Sequence, residues 1–389
     1  MKSVVIIGGG IAGVEAAIYY RKEGFEVELI SDRSYVFIYP IAIWIPVKAI
    51  RFENVAFSLD KIAMRHGFKL TVDRVVTISG AQKTITLENG GEREIDHLVI
   101  ATGAAKMKHE GLENTLSICG DPEQSLLLKE KIDLLIAKGS GKIAFGFGGN
   151  PNDPSGVRGG PAFELFFNLH HRLKKLGIRD KFEMTFFAPM AEPGARMGQK
   201  ALSSLEMMFQ RNNFKTRYGK KIKRFDNQGV IFEDESRLES DLTMFIPAGN
   251  GSELIRSSDL PQNSAGFIRI TNYCEIENVE NWYAIGDAAA LEGPDWKAKQ
   301  GHIAEVMARN AAHNSAIAHG MKFENKKTYQ EHLTILCVMD MGNGAGFVYR
   351  DDKKTLLLPL PIIGHWLKIG WGWYYKLSKM EYIPRIPWM

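Results

Sequence analysis

Apolar positions along the chain fall into short continuous runs separated by glycine-rich turns. The first, Val4-Val5-Ile6-Ile7, is β-branched and leads straight into Gly8-Gly9-Gly10-Ile11-Ala12-Gly13. A helical stretch follows through Tyr20, and then a second apolar run from Phe25 to Ile30 that ends at Ser31-Asp32. Runs of this length bounded by turn residues predict strands, so the opening segment predicts a strand–helix–strand unit. Further strands are predicted at His97–Ile100, ahead of Ala101-Thr102-Gly103, at Lys142–Phe147, at Met184–Phe187, and at Trp282–Ile285, ahead of Gly286-Asp287. A helix is expected to begin near Gly160-Pro161, where proline suits a first turn. The pattern is that of an α/β protein.

The last stretch, residues 356–389, reads differently. Trp366, Trp371, Trp373, Tyr374 and Tyr375 interleave there with Lys368, Lys376 and Lys379. Such rings prefer a membrane–water boundary, where lysines can reach lipid phosphates. Pro359, Pro361, Gly370 and Gly372 argue against one long spanning helix, and no run reaches the roughly 18 to 20 apolar residues of a membrane span. A monotopic anchor is expected, with packing on the protein itself or on a partner subunit as the alternative.

Length and composition bound the rest. A chain of 389 residues exceeds one ordinary core, so two domains and an appendage are expected. With 45% hydrophobic and 24% charged residues it is globular, and a net charge of +4 without a recognition motif argues against nucleic acid. Cys119, Cys274 and Cys337 are too few and too scattered for a disulfide framework or a zinc site, so no metal is expected. The chain opens directly in a strand with no leader pattern, and cytoplasmic synthesis is expected.

Strand, GxGxxG and helix in succession form a dinucleotide-binding fingerprint. Gly8 makes the tight turn, Gly10 admits a pyrophosphate against the backbone, and Gly13 lets helix and strand pack closely. The helix N-terminus then favours the phosphates. Asp32, beside Ser31, is the acidic candidate for a ribose hydroxyl, one place later than the usual pattern.

Taken together, the glycine loop, Ala101-Thr102-Gly103 and Gly286-Asp287 resemble the two-dinucleotide-binding-domain flavoproteins, the pyridine nucleotide-disulfide oxidoreductase class. The resemblance implies two Rossmann-like domains and FAD, with Asp287 on the ribityl chain. It divides the chain into an FAD-binding domain over 1–104 and 260–325, a second Rossmann-like domain over 105–259, and a flavin-covering, membrane-anchoring region over 326–389. The second glycine loop, Gly146-Phe147-Gly148-Gly149-Asn150, is stretched through Pro151 to Gly159, and a loop with two prolines cradles a pyrophosphate poorly. NADH binding is therefore disfavoured.

More narrowly, the chain resembles the sulfide:quinone oxidoreductases over nearly its full length. The resemblance rests on Leu29-Ile30-Ser31, Phe37-Ile38-Tyr39-Pro40, Gly160-Pro161-Ala162-Phe163-Glu164, Lys299-Gln300-Gly301 and Cys337-Val338-Met339-Asp340-Met341-Gly342. It implies Cys337 beside the flavin as sulfur nucleophile and Cys119 in the place of a third redox cysteine. Pro40, Lys299, Gln300 and Gly301 join the cofactor contacts, with Lys299 setting positive charge near the reduced flavin. Phe347 and Tyr349 would line a quinone site. Electrons would pass from a small sulfur donor through FAD to a membrane quinone, at the membrane surface, with a homo-oligomer left open. Two departures stand out. Val157 or Arg158 occupies the place of the family's second cysteine, and Glu123 and Arg196 stand where its two histidines would be. Alternative readings are a type II NADH:quinone oxidoreductase and a non-catalytic or sensory flavoprotein that docks to membrane or partner.

Overall fold

The computed structural model describes residues 2–385. Its first sheet has five parallel strands in the order Trp282–Ala284, Leu98–Ile100, Ser3–Ile7, Glu26–Ser31 and Lys69–Val72. A parallel sheet covered on both faces requires near-continuous apolar strands, and Ile6, Leu29, Val99 and Trp282 are accordingly fully buried. The sheet is thus assembled from both ends of the chain. A second parallel sheet, in the order Lys215–Tyr218, Phe182–Ala188, Gly141–Phe147 and Leu242–Ile246, is built from the residues between. Phe163 and Phe166, on the helix Gly160–Lys175, pack with Phe186 and Phe209 beside it. Every strand predicted above is present, displaced by at most two residues at an end.

An antiparallel meander, Ile335–Asp340, Gly344–Arg350 and Thr355–Pro361, follows, and the chain ends in the helix Ile363–Lys379. As expected, no long spanning helix runs through the described residues of this stretch: Pro359 and Pro361 lie on an edge strand, which tolerates a missing N–H. Gly370 and Gly372 lie inside the helix, and a side chain at Gly372 would strike Ile41, so this glycine permits close packing. Lys368 and Lys379 do not reach outward to lipid, being 7% and 3% exposed. Tyr375 is also buried, while Trp366 and Trp373 face solvent. Among the described residues no helix is long and apolar enough to cross a membrane. Residues 386–389, the end of the expected anchor, lie outside the described residues.

What holds this last helix down is charge. Glu15, on the helix Ile11–Lys22, is 0% exposed, and a carboxylate in that position must be compensated. Arg309 Nε donates to it at 2.7 Å and Arg385 Nη1 at 3.0 Å, and Lys379 Nζ donates both to Glu15 and to Glu305. Burial alone would raise the Glu15 pKa, but Lys379, Arg385 and Arg309 outweigh it and hold the carboxyl at about 2. A depressed carboxylate stabilises the fold fully above its unfolded pKa, and that stability is lost as pH falls through the folded value. Acid unfolding followed by circular dichroism is therefore expected to have a component between about pH 4.5 and pH 2 that Glu15→Gln removes. At neutral pH the same substitution, by leaving the buried Lys379 and the part-buried Arg309 and Arg385 short of an anion, is expected to cost about 3 kcal/mol in denaturant titration.

Candidate functional site

The first glycine loop has the shape of a cofactor cradle. Gly8 adopts φ +111°, a conformation that favours glycine, and a Cβ there would meet the Ala101 carbonyl. A Cβ on Gly13 would land on the Gly8 carbonyl oxygen, so this glycine sets the distance between helix and strand. Gly10 is different. Its backbone is extended and a Cβ would meet nothing within 4 Å, so its side is open toward whatever the loop holds. At the neighbouring strand end Thr102 Oγ1 is buried without a hydrogen-bond partner, and Gly103, at φ +73°, also faces open space. A loop open on one side, with an unpaired buried hydroxyl beside it, fits FAD.

Around the loop, Ser31 is buried against Gly9 and donates to the Arg33 carbonyl, whereas Asp32 is exposed and 3.6 Å from Arg33. Pro40 begins the short helix Tyr39–Ala42, whose Tyr39 hydroxyl donates to the Gly120 carbonyl at 2.9 Å and so reaches the Cys119 segment.

Asp287 follows the strand Trp282–Ala284, on the turn Gly286–Ala288. Arg158 Nη2 donates to its carboxylate, and Arg158 Nη1 donates to the Lys299 carbonyl at 3.1 Å. The residue near the family's second cysteine position is thus a guanidinium fixed on the aspartate. Lys299 is buried, donates to the Ala289 carbonyl and sits 3.9 Å from the Phe267 ring centre; burial pulls its pKa down to about 8, against the pull of Asp287. Burial likewise lowers Lys106 and raises the thiol of Cys119; Lys106 and Arg158 act on that thiol in the opposite sense.

Cys337 lies on the strand Ile335–Asp340. Gln300, the residue before the helix Gly301–Ala318, grips that strand: its Nε2 donates to the Leu336 carbonyl at 3.2 Å and its Oε1 accepts from the Leu336 N–H at 3.3 Å. Glu164 accepts from the Asp340 N–H at 2.8 Å and from Lys368 Nζ. Asp340 in turn accepts from Trp44 at 2.9 Å, Asn168 at 2.7 Å and His365 at 2.8 Å. Burial pushes the Cys337 thiol up to about 12, Glu164 adds to the shift and Lys368 opposes it, so the sulfur is protonated at neutral pH. Phe347 and Tyr349 are on the adjacent strand, but side chains alternate across a sheet. They share the outer face with Leu336, Leu356 and Leu358, while Cys337, in register with the fully buried Val348, is on the inner one.

The stretched second loop is folded on itself. Asn150 Oδ1 accepts from the Asn152 and Asp153 N–H groups, and Asp153 accepts from the Ser155 N–H at 2.9 Å. Arg196 spans the carbonyls of Pro154, Val157 and Lys297. Amides engaged in this way are not free for a pyrophosphate. Sequence reasoning passed over Gln300 as a clamp and Lys368 as an ion-pair partner. The signal for the latter was spacing: Gly364, Lys368, Gly372, Tyr375 and Lys379 recur at three or four residues and form one buried stripe.

Comparison with known proteins agrees with this geometry. The pattern of the pyridine nucleotide-disulphide oxidoreductases matches residues 2–316. The sulfide-quinone reductase of Aquifex aeolicus is 30% identical over 401 residues, covering 96% of this chain and 90% of that one. The X-ray structure of the sulfide:quinone oxidoreductase from Aquifex aeolicus superposes with a TM-score of 0.86 at 25% identity, over 98% of this chain and 92% of the other. NDH2 from Plasmodium falciparum shares the fold, with a TM-score of 0.77 at 13% identity, over 100% and 99% of the two chains.

Two glycines of the cradle should fail differently. Gly10→Val, whose side chain enters open space, is expected to leave the apoprotein's melting temperature within about 2 °C while flavin absorbance after purification is lost. Gly13→Ala is expected to lower the apoprotein's melting temperature itself, by about 4 °C or more, because helix and strand must separate.

Proposed function

Because the chain belongs to the sulfide-quinone reductase family of FAD-binding pyridine nucleotide-disulphide oxidoreductases, we propose that it passes two electrons from a small sulfur donor through FAD to a membrane quinone. The observation that carries this reading is the setting of Cys337. Gln300 fixes both backbone groups of the preceding residue to the segment that also bears Lys299, whose carbonyl Arg158 joins to Asp287. One half-buried thiol is thereby held near the region where the cofactor's ribityl chain and ring would lie.

FAD, when bound, supplies the two-electron acceptor; the residues supply the rest. The cofactor cradle comprises Gly8, Gly10, Gly13, Ser31, Asp32, Pro40, Ala101, Thr102, Gly103, Gly286, Asp287, Lys299, Gln300 and Gly301. Cys337 is the sulfur nucleophile. Its thiol must lose a proton first; Lys368, tied to Glu164, favours that loss and Glu164 opposes it. Cys119, buried and flanked by Lys106 and Arg158, is a second thiol within the pocket. Arg158 carries no sulfur, so sulfane sulfur gained by Cys337 leaves to a small external nucleophile. Phe347 and Tyr349, with the exposed leucines of the outer sheet face, form the apolar approach for the quinone. The exposed Ile362, Ile363, Trp366 and Leu367 rest in the membrane surface, so that the quinone is reached from lipid. On this reading 1–104 and 260–325 form the FAD-binding unit, 105–259 the second and 326–389 the C-terminal one.

Anaerobic mixing of the FAD-loaded protein with sulfide is expected to bleach the flavin absorbance, and decylubiquinone to restore it. Cys337→Ser should slow the bleaching by a factor on the order of a hundred or more while flavin content is retained. Absence of bleaching with every sulfur donor, or rapid bleaching by micromolar NADH, would overturn the assignment in favour of the NADH:quinone reading.

A further inference from the structure

The second sheet ends, on its N-terminal side, in an open cleft of about 1010 Å³ lined by Gly141, Phe182, Lys215 and Asp241 at the strand starts. Ligands of such folds bind at the opposite, carboxyl ends of the strands. The cleft is cationic. Lys138 and Lys142 are paired with Asp241 and Glu239, and Lys215 with Glu183. Lys174, Lys181 and Arg211 also line it, and none has a carboxylate within ion-pair distance among the described residues. Arg179 spends its Nε on His170 Nδ1 at 2.8 Å and its Nη1 on the Phe182 carbonyl at 2.6 Å, and Asp180, also in the lining, acts on it electrostatically without an ion-pair contact.

The helix Gly160–Lys175 joins this cleft to the C-terminal region. His170 and Lys174, one turn apart, line the cleft. His171 faces elsewhere: Gly342 packs against its ring, and it lies within electrostatic reach of Asp340 and His365. His365 adjoins the apolar tip, where Ile362 is 68%, Ile363 64% and Trp366 65% exposed. Cleft and tip therefore both adjoin the last turns of one helix, through His170 on one side and His171 on the other.

A cationic surface beside exposed apolar side chains is complementary to a bilayer with anionic headgroups. We infer that the cleft seats anionic phospholipid headgroups while Ile362, Ile363 and Trp366 enter the acyl boundary, so that the second domain stands on the membrane beside the C-terminal hairpin. This rests on the membrane reading given above. A free phosphate ester shares the headgroup's chemistry, and the test separates the two.

Co-sedimentation of the FAD-loaded protein is compared on vesicles of phosphatidylcholine alone and of phosphatidylcholine with phosphatidylglycerol. The wild type is expected to prefer the anionic vesicles, and the preference to fall about fivefold for each of Lys174→Gln, Lys181→Gln and Arg211→Gln, and on the order of a hundredfold for the triple variant. The triple variant should keep its flavin content and its sulfide-dependent bleaching; if it fails to fold, the single variants carry the comparison. Ile363→Ser with Trp366→Ser should weaken binding to both vesicles. An undiminished anionic preference in the charge variants overturns the cleft assignment and leaves the membrane reading standing. Failure of the wild type to bind either vesicle sinks the membrane reading itself. If inorganic pyrophosphate stabilises the wild type but not the triple variant at constant ionic strength, and anionic preference is unchanged between them, the cleft serves free phosphate and the headgroup assignment is wrong.

Discussion

A carboxylate with no access to water organises much of this molecule. Glu15 sits on the helix that follows the first glycine loop, and its counter-charges come from Arg309 on a later helix and from Lys379 and Arg385 near the end of the chain. Desolvating a lone carboxylate costs several kcal/mol, so these elements stabilise one another or none of them is stable in place. Glu164 and Lys368 repeat the device about three turns earlier on the same C-terminal helix, now against the helix Gly160–Lys175. The helix is consequently bolted to both halves of the protein by buried ion pairs along one stripe, and is not a loose appendage.

That stripe explains where the molecule's surface charge goes. Lysines in an aromatic tail invite the expectation that they reach lipid phosphates, yet two of the three are consumed in the interior. The outward face of the helix and its leading turn are left with Ile362, Ile363, Trp366, Leu367 and Trp373. An apolar surface of this kind can enter a bilayer but cannot select anionic headgroups. On the helix itself Lys376 remains, 5.9 Å from the Trp373 ring centre, and the last turns of the helix ending at Lys175 approach the same region, where His171 and His365 both lie near Asp340.

The parts of the fold legible in the sequence were those fixed by local geometry. Val4 to Gly13 reads as strand, turn and helix because each residue's role depends on neighbours a few places away, and the strand ends at Thr102 and Asp287 are of the same kind. What escaped was long-range compensation. Lys379 lies 364 residues from Glu15, and Gln300 grips a backbone 36 residues on, so neither partner can be inferred from spacing along one element. Gly370 and Gly372 lie inside a short helix for a related reason: glycine weakens an isolated helix by about 1 kcal/mol, but close packing of Gly372 on Ile41 offsets that.

The contact between Arg158 and Asp287 bears most directly on the proposed chemistry. A guanidinium in that place is neither nucleophile nor sulfur carrier. A thiol there could hold sulfur between turnovers; an arginine can only favour anions, whether an ionised sulfur donor or a negatively charged reduced cofactor. Once two electrons have left the donor, its sulfur is electrophilic and Cys337 has no second thiol at position 158 to receive it. On the proposed reading the sulfur must therefore depart to a nucleophile from solution, which makes the identity of that acceptor as much a property of the enzyme as the identity of its donor. The meander adds a spatial counterpart, since Cys337 lies on its inner face and Phe347 and Tyr349 on its outer one. On the proposed reading, sulfur chemistry and the apolar approach for a quinone would be kept on opposite sides of a single sheet, and a hydrophilic donor and a lipid-soluble acceptor would not compete for one opening.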